Sequence, residues 1–387
     1  MALRALARVN LAAIERNVVA LRGLLAGDAE LCAVVKADAS GHGAAPVARA
    51  ALAGGATMLA VATAGEAAEL RAAGLVAPIL IMGAVSSEEL PVAIDARAEL
   101  VAWDERFVSD LAAAAADRGG VVGLHIKLDS GMGRLGTRDA PAAFAVAQQV
   151  RERAPTLRLV GAMTHLATAD GDLDFAAGQL AVFARFATEL QRRFGPLRVH
   201  AANSAATLRV PDSHFDMVRC GIALYGCDPM NEDPDSTGLE PAMELSTYVA
   251  AVKRAQAGDS IGYGRRFIAR GPRWIATMPI GYADGVRRGL TNNCDVLIGG
   301  RRYPLVGTVS MDNITADLGP AHPAHPADPG RPAVTVGAPA ILIGRSGQER
   351  QTVEDIAQRL DTINHEVLCG ISARVPRRYH RDGTPVP

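Results

Sequence analysis

The chain has 387 residues, 49% hydrophobic and 21% charged, with 39 glycines, a composition that excludes disordered and fibrous classes and supplies material for a sizeable core. A formal net charge of -1 excludes the basic stripe of a nucleic-acid binder, so a small-molecule partner is expected. The cysteines Cys32, Cys220, Cys227, Cys294 and Cys369 are odd in number and include no CxxC pair, which indicates neither a disulfide framework nor a metal site and fits a reducing, cytoplasmic compartment.

The N-terminus, MALRALARVNLAAIERNVVALRGLL, places Leu11, Ile14, Val18 and Leu21 at helical spacing, while Glu15 and Arg16 interrupt any signal-peptide core. A first helix is therefore predicted rather than a targeting segment. No stretch reaches the roughly 18 apolar residues of a membrane span. From residue 31 short apolar runs alternate with alanine-rich amphipathic segments. The runs are LCAVVK, MLAVAT, PILIMG, ELVAW, GLHIKLD, LVGAMTH, RVHAANS and DMVRCGI. Between them lie helix-like stretches such as AGEAAELRAAG and DFAAGQLAVFARFATELQRRFG, where Phe175, Val182, Phe183, Phe186 and Leu190 are expected to share a face. Parallel strands need crossover helices and eight of them can close, so residues 1–235 read as a (β/α)8 barrel. Lys36, Asp129, His165, Asn203 and Ser204 stand at the ends of runs, with Lys127 and Arg219 just before. In such barrels the C-terminal strand ends carry the chemistry.

Beyond residue 235 helical spacing becomes scarce. STYVAAVKRA, RWIATMPI, CDVLIGG, RRYPLVGTVS and PAILIG are separated by Gly and Pro turns, which predicts a mostly β domain over 236–387. The loop GPAHPAHPADPGRPA holds His322 and His325, but two histidines among prolines with no further ligand read as plain surface loop. TVEDIAQRL predicts a late helix with Thr352 and Asp355 as a capping pair.

Lys36 ends the first run and opens the loop KADASGHG. Alone it reads as a solvated strand end. At a barrel mouth it can instead be partly desolvated and serve as a Schiff-base nucleophile. KADASGHG resembles the lysine motif of the alanine racemases, a pyridoxal-phosphate family. Further matches follow in family order: HIKLDSGMGRLG, MTHLATAD, HAANSAATL, DMVRCGIALYG, GDSIGYG, PIGYADGVRR, VGTVSMDN and ARVPRRYH.

The resemblance implies that Lys36 holds pyridoxal 5'-phosphate and acts as base on one face of the substrate Cα, with Tyr263 as base on the other face, reaching in from the second subunit of a homodimer. Two bases flanking a planar carbanion are what racemisation requires. A free tyrosine, with a pKa of about 10, is a poor base at neutral pH, and His165 and Arg219 occupy the family positions that favour its phenolate. Arg219 reads by itself as a structural ion pair. By resemblance it donates to the cofactor's pyridine nitrogen, which a guanidinium cannot protonate, and His200 supports it. Phosphate recognition would fall to Asn203, Ser204, Gly221 and Ile222. Arg134, Met311 and Asp312 match contacts around the cofactor phenol oxygen and substrate carboxylate. Lys127 matches a position that is carbamylated in many members and orders Arg134.

Two positions depart from the family pattern. Ser40 stands where a tyrosine is usual, and His365 replaces a second tyrosine in NHE. Both family tyrosines bind phosphate and narrow the pocket entrance. Their loss is compatible with compensated drift, or with a larger pocket that takes serine or a bulkier amino acid. A decarboxylase or aldolase of the same barrel type, and a non-catalytic cofactor-binding protein, are the other readings. Tyr263 speaks against the first and the retained β domain against the second.

Overall fold

The computed structural model describes residues 3–321 and 334–386. His322 and His325 of the proline-rich loop lie outside these described residues. The chain divides into two compact units, one from Ile14 to Met230 and one combining residues through Ala13 with those from Asn231 onward.

The first strand, β1 (Ala5–Asn10), lies in the second of these units. The barrel unit contains β2 (Glu30–Val34), β3 (Met58–Val61), β4 (Ile79–Ile81), β5 (Glu99–Ala102), β6 (Val122–Lys127), β7 (Leu157–Met163), β8 (Arg198–His200) and β9 (Met217–Cys220). They form an 8-stranded sheet in the order β8-β7-β6-β5-β4-β3-β2-β9, parallel throughout. Each apolar run marked in the sequence is one of these strands. Between β8 and β9 the barrel is drawn together by backbone bonds, Asp216 N–H to the Val199 carbonyl at 3.1 Å and Arg219 N–H to the Ala202 carbonyl at 3.0 Å. The Asp216 carboxylate adds a third by accepting from Val199 N–H at 2.7 Å.

The interior is filled by Cys32, Val34, Met58, Ala60, Leu80, Val101, Met163 and Met217. Strands buried on both faces need no polar alternation, which is why they appear in the sequence as unbroken apolar runs. The helix Leu173–Phe194 buries Ala176, Phe183, Phe186 and Leu190. Phe175 and Val182 do not share that face, being 46% and 41% exposed. Successive residues turn by about 100° around a helix, so Val182 is carried away from the stripe that Phe183 occupies. Among the described residues no helix is long and apolar enough to cross a membrane.

The other unit is mostly β. Its large sheet pairs β1 antiparallel with Met243–Tyr248 and parallel with Arg377–Arg381. The sheet continues through Pro339–Ser346 to the hairpin of Asp295–Ile298 and Arg301–Pro304. A 3-stranded sheet joins 251–255, 273–278 and 314–320. The expected barrel segment 1–235 is thus corrected at its start. The helix expected from Leu11 is present as Leu11–Gly23, but the strand before it belongs to the β unit. The late helix Val353–Arg359 carries the predicted capping pair. Thr352 Oγ1 accepts from Asp355 N–H at 3.0 Å, and the Asp355 carboxylate accepts from Thr352 N–H at 2.8 Å.

The loop that follows Lys36 is not a flexible turn. Ala37, Asp38, Ala39 and Ser40 have φ of 53°, 52°, 53° and 50°, a full left-handed turn built from residues with side chains. Each such residue costs roughly 1–2 kcal/mol, so neighbours must hold the turn in place. Glu66 accepts from Ala37 N–H at 2.6 Å, and Asp38 accepts from Ala44 N–H at 2.7 Å. His42 stacks on Tyr225 at 4.5 Å, and the Tyr225 hydroxyl donates to the Val34 carbonyl at 2.8 Å.

This geometry reverses the usual sign of an alanine-to-glycine change. Ala37→Gly removes left-handed strain while adding unfolded-state entropy, and it should stabilise the fold by about 0.5–1 kcal/mol net. Ala145→Gly, in the right-handed helix Ala140–Glu152, should destabilise it by about 1 kcal/mol. Thermal unfolding of the two variants beside the parent tests the pair; equal losses in both would contradict the strain assignment.

Candidate active site

In the barrel unit the polar residues singled out in the sequence gather at the C-terminal strand ends. Lys36 follows β2 and is exposed, Lys127 closes β6, His165 follows β7, His200 closes β8, and Arg219 lies within β9. The centre of the group is Arg219, 3% exposed. Its Nη1 donates to His200 Nδ1 at 2.8 Å. Its Nη2 donates to the carbonyls of Thr164 at 2.9 Å and Ala201 at 3.0 Å, and to His165 Nδ1 at 3.3 Å. None of these partners is a carboxylate.

Arginine can only donate, so both imidazole Nδ1 atoms must present lone pairs. The electrostatics agree with neutral rings. Burial, reinforced by Arg219, Arg134, Lys127 and Lys36, holds His165 well below the usual 6.5. His200 is likewise held well below 6.5 by burial and then by Arg219. Burial also brings Lys127 down to about 8, with Arg219 and Arg134 adding to the effect. Arg219 itself is lowered by burial to about 10, which leaves it protonated at neutral pH.

The loop after β6 is shaped by Asp129. Its carboxylate accepts from Gly133 N–H at 3.0 Å, from Gly131 N–H at 3.1 Å and from Arg138 Nε at 3.0 Å. These bonds curl residues 129–138 into a compact loop that carries exposed Arg134. A Cβ on Gly136 would lie 3.1 Å from Lys127 Cγ, so the loop backbone packs directly on that lysine.

At the far side of the mouth, Ser204 Oγ accepts from Gly221 N–H at 2.9 Å and from Ala223 N–H at 3.4 Å. Asn203 caps the following short helix by accepting from Ala206 N–H at 3.0 Å. The amides that converge on the serine are those of Gly221 and Ala223, whereas the sequence pointed to Gly221 and Ile222; Ile222 is buried beside them. A Cβ on Gly221 would meet Val34 at 3.6 Å, an ordinary contact, so crowding within the chain does not require that glycine.

The remaining site residues lie in the β unit. Tyr263 is 74% exposed and Met311 52% exposed. The Tyr263 carbonyl accepts from Thr308 Oγ1 at 2.6 Å. Asp312 accepts from Arg374 Nη2 at 2.8 Å. Ala283 N–H donates to the Met311 carbonyl and Tyr282 N–H to the Ser310 carbonyl, each at 3.0 Å. This ties the PIGYADG and SMDN motifs together. His365 is exposed at the start of the helix Asn364–Cys369, while Ser40 sits in the left-handed turn of the barrel unit.

Two members of the constellation were not singled out in the sequence. His200 Nε2 lies 2.9 Å from His125 Nδ1, and His125 Nε2 lies 2.8 Å from Glu99 Oε2. His125 could have been found from its spacing, because in a strand it faces the same way as Lys127 two residues on. Glu99 begins β5 and carries no such signal.

Each unit is matched by known proteins. The alanine racemase N-terminal domain model matches residues 9–229 and the alanine racemase C-terminal domain model residues 242–379. Alanine racemase 2 of Caldanaerobacter subterraneus subsp. tengcongensis is 38% identical over 96% of this chain and 93% of its own length. The alanine racemase of Geobacillus stearothermophilus is 40% identical over 97% of this chain and 93% of its own. Among solved structures, the alanine racemase from D-cycloserine-producing Streptomyces lavendulae aligns with a TM-score of 0.90 at 34% identity, covering 98% of each chain. That from Bacillus anthracis, with bound L-Ala-P, aligns at 0.88 and 38% identity, covering 99% of this chain and 96% of its own. With both of its units matched over nearly their whole length, the chain belongs to the alanine racemase family.

Proposed function

We propose that this protein interconverts L- and D-alanine by two-base proton transfer at Cα, with pyridoxal 5'-phosphate as cofactor and with sites shared between two copies of the chain. The observation that carries the reading is the buried guanidinium of Arg219, bonded only to neutral acceptors. A buried cation with only a few neutral acceptors is costly unless a further acceptor completes its hydrogen bonding. Lys36, Lys127 and Arg134 add positive charge around His165, so the donor set fits a phosphorylated, electron-rich ring and a substrate carboxylate.

Pyridoxal phosphate supplies, when bound, the electron sink that makes the substrate's Cα proton removable. Lys36 would hold it through its amine. Ser204, Asn203 and the Gly221 and Ile222 amides would receive the phosphate, with Ser40 and His365 standing where phosphate-binding tyrosines are usual. Arg219 would face the pyridine nitrogen. Because it stays protonated, it offers that nitrogen a hydrogen bond and not a proton, which limits electron withdrawal and favours return of the Cα proton over side reactions. Lys36 would take or return the Cα proton on one face. Tyr263 would serve the other face. Arg134, Met311 and Asp312 would place the substrate carboxylate. The exposure of Tyr263 and Met311 supports a role completed by a second copy, hence a homodimer with two-fold symmetry.

The direct test is deuterium exchange at Cα with chiral analysis for L- and D-amino acids, using purified protein with pyridoxal phosphate. Alanine should exchange and racemise fastest. A faster serine or larger side chain would assign Ser40 and His365 to specificity, and no exchange would remove the racemase reading. Tyr263→Phe should lower kcat by about 10²–10⁴-fold, the range for loss of a general base. Mixed dimers of Lys36→Ala and Tyr263→Phe chains should regain activity at one site per dimer, which unshared sites could not do.

Lys127 generates a pH-dependent expectation. Its pKa of about 8 means that the neutral, CO2-reactive amine grows as pH rises through 8 and is scarce well below it. With 13C-bicarbonate, a carbamate carbon signal should therefore strengthen between pH 7 and pH 8.5, the interval around that cited pKa, and vanish in Lys127→Ala. A signal of equal strength in that variant would place the modification elsewhere.

A further inference from the structure

The row of hydrogen bonds that begins at Arg219 runs through the barrel and ends on an acid at its opposite end. Arg219 Nη1 meets His200 Nδ1 at 2.8 Å, His200 Nε2 meets His125 Nδ1 at 2.9 Å, and His125 Nε2 meets Glu99 Oε2 at 2.8 Å. Both histidines are fully buried. Glu99 begins β5, at the end of the barrel away from the catalytic mouth. There it lies within 3.9 Å of Arg198, in an open cleft also lined by Glu30 and Arg158.

The direction of every bond in this row is fixed from both ends. The guanidinium has no lone pair, so His200 must accept at Nδ1 and, being neutral, carries its proton on Nε2. It then donates to His125 Nδ1, which leaves the His125 proton on Nε2, pointing at Glu99. An ionised carboxylate can only accept, so the far end agrees with the near end. Burial alone would raise the Glu99 carboxyl, but the bond from His125 and the charges of Arg198 and Arg158 bring it below the usual range, which keeps it ionised. The neighbouring strand makes room for the row. A Cβ on Gly161 would sit 2.1 Å from His125 Nδ1, so β7 has no side chain where the two rings meet.

We propose that Glu99 is a positioning residue for Arg219: by accepting from His125 it holds both imidazoles in the neutral Nε2–H form and so keeps a lone pair aimed at the guanidinium. Without that acceptor, His125 gains nothing from a proton on Nε2. Moving the proton to Nδ1 would set it against the His200 Nε2–H at 2.9 Å. His200 would then have to move its own proton to Nδ1, against a guanidinium that can only donate. Arg219 would be displaced from the place where it acts. The kinetic part of this inference rests on the racemase reading; the tautomers do not.

The experiment uses the full chain with pyridoxal phosphate added and 15N-labelled histidine. In the parent protein, the ring nitrogen shifts of His125 and His200 should report neutral Nε2–H forms. In Glu99→Leu, at least one ring should change tautomer or begin to exchange, and kcat for alanine should fall about 10–100-fold, as expected for slight misplacement of a catalytic group, with KM within about twofold of the parent. Glu99→Gln, which retains an acceptor oxygen, should restore the tautomers and most of kcat. A His125 found as Nδ1–H or doubly protonated in the parent overturns the proposal, and so do unchanged tautomers or unchanged kcat in a folded Glu99→Leu. If Glu99→Leu does not fold, the parent spectrum decides. A parent that shows the expected tautomers but racemises nothing would count against the proposed function and leave the role of Glu99 in ordering the row intact.

Discussion

The protonated guanidinium of Arg219 is the constraint on which the barrel mouth depends. It is buried, its partners are two carbonyls and two imidazole nitrogens, and none of them carries negative charge. A cation in that setting dictates the chemistry of its neighbours. The histidines must be neutral to accept from it, and they are held well below their ordinary pKa. Lys127, buried nearby, loses part of its basicity to the same burial and the same charge. Even the glycine at position 161 follows, since the ring of His125, which accepts from His200 behind Arg219, occupies the space its Cβ would need.

Such an arrangement favours anions without supplying them. Arg219, Lys36, Lys127 and Arg134 all act on His165 in the same sense, and the nearby Asp129 carboxylate is engaged with its own loop and Arg138. The net positive field that results suits a ligand bearing phosphate and carboxylate groups. It also separates two functions that a sequence motif runs together. On the proposed reading, the amides and hydroxyl at the Ser204 side of the mouth would bind the phosphate, while the row of hydrogen bonds behind Arg219 would hold the guanidinium in place.

Much of this could be read from the sequence because of what burial does to composition. Strands covered on both faces appear as continuous apolar runs, and a polar residue that ends such a run has been kept there against the trend. Lys36, Lys127, His165, Ser204 and Arg219 were visible for that reason, and His200 by the family resemblance alone. β1 was not, because its ALARVN alternates buried with partly exposed positions instead of forming an apolar run, and its pairing with strands hundreds of residues away has no local trace. The left-handed turn was hidden for a different reason. Ala37, Asp38, Ala39 and Ser40 offer no glycine to announce positive φ, and the turn is imposed by Glu66, Asp38 and the His42–Tyr225 stack. Glu99 was invisible because its meaning depends on a contact across two strands.

The β unit shows how rigidity and exposure are combined. Tyr263 and Met311 present their side chains to solvent, yet their backbones have almost no freedom. A Cβ on Gly281 would stand 2.3 Å from the Ser310 carbonyl, one on Gly307 2.6 Å from the Ile261 carbonyl, and one on Gly262 3.0 Å from Thr308 N. Glycine is required at each place because two segments of main chain touch there. The exposed tyrosine and methionine are therefore displayed from a fixed frame and have only side-chain rotamers left to lose on docking. Binding that orders few degrees of freedom retains more of its interaction energy. A large apolar side chain held out in this way is better explained by a surface prepared to meet another than by a loop left loose in solvent.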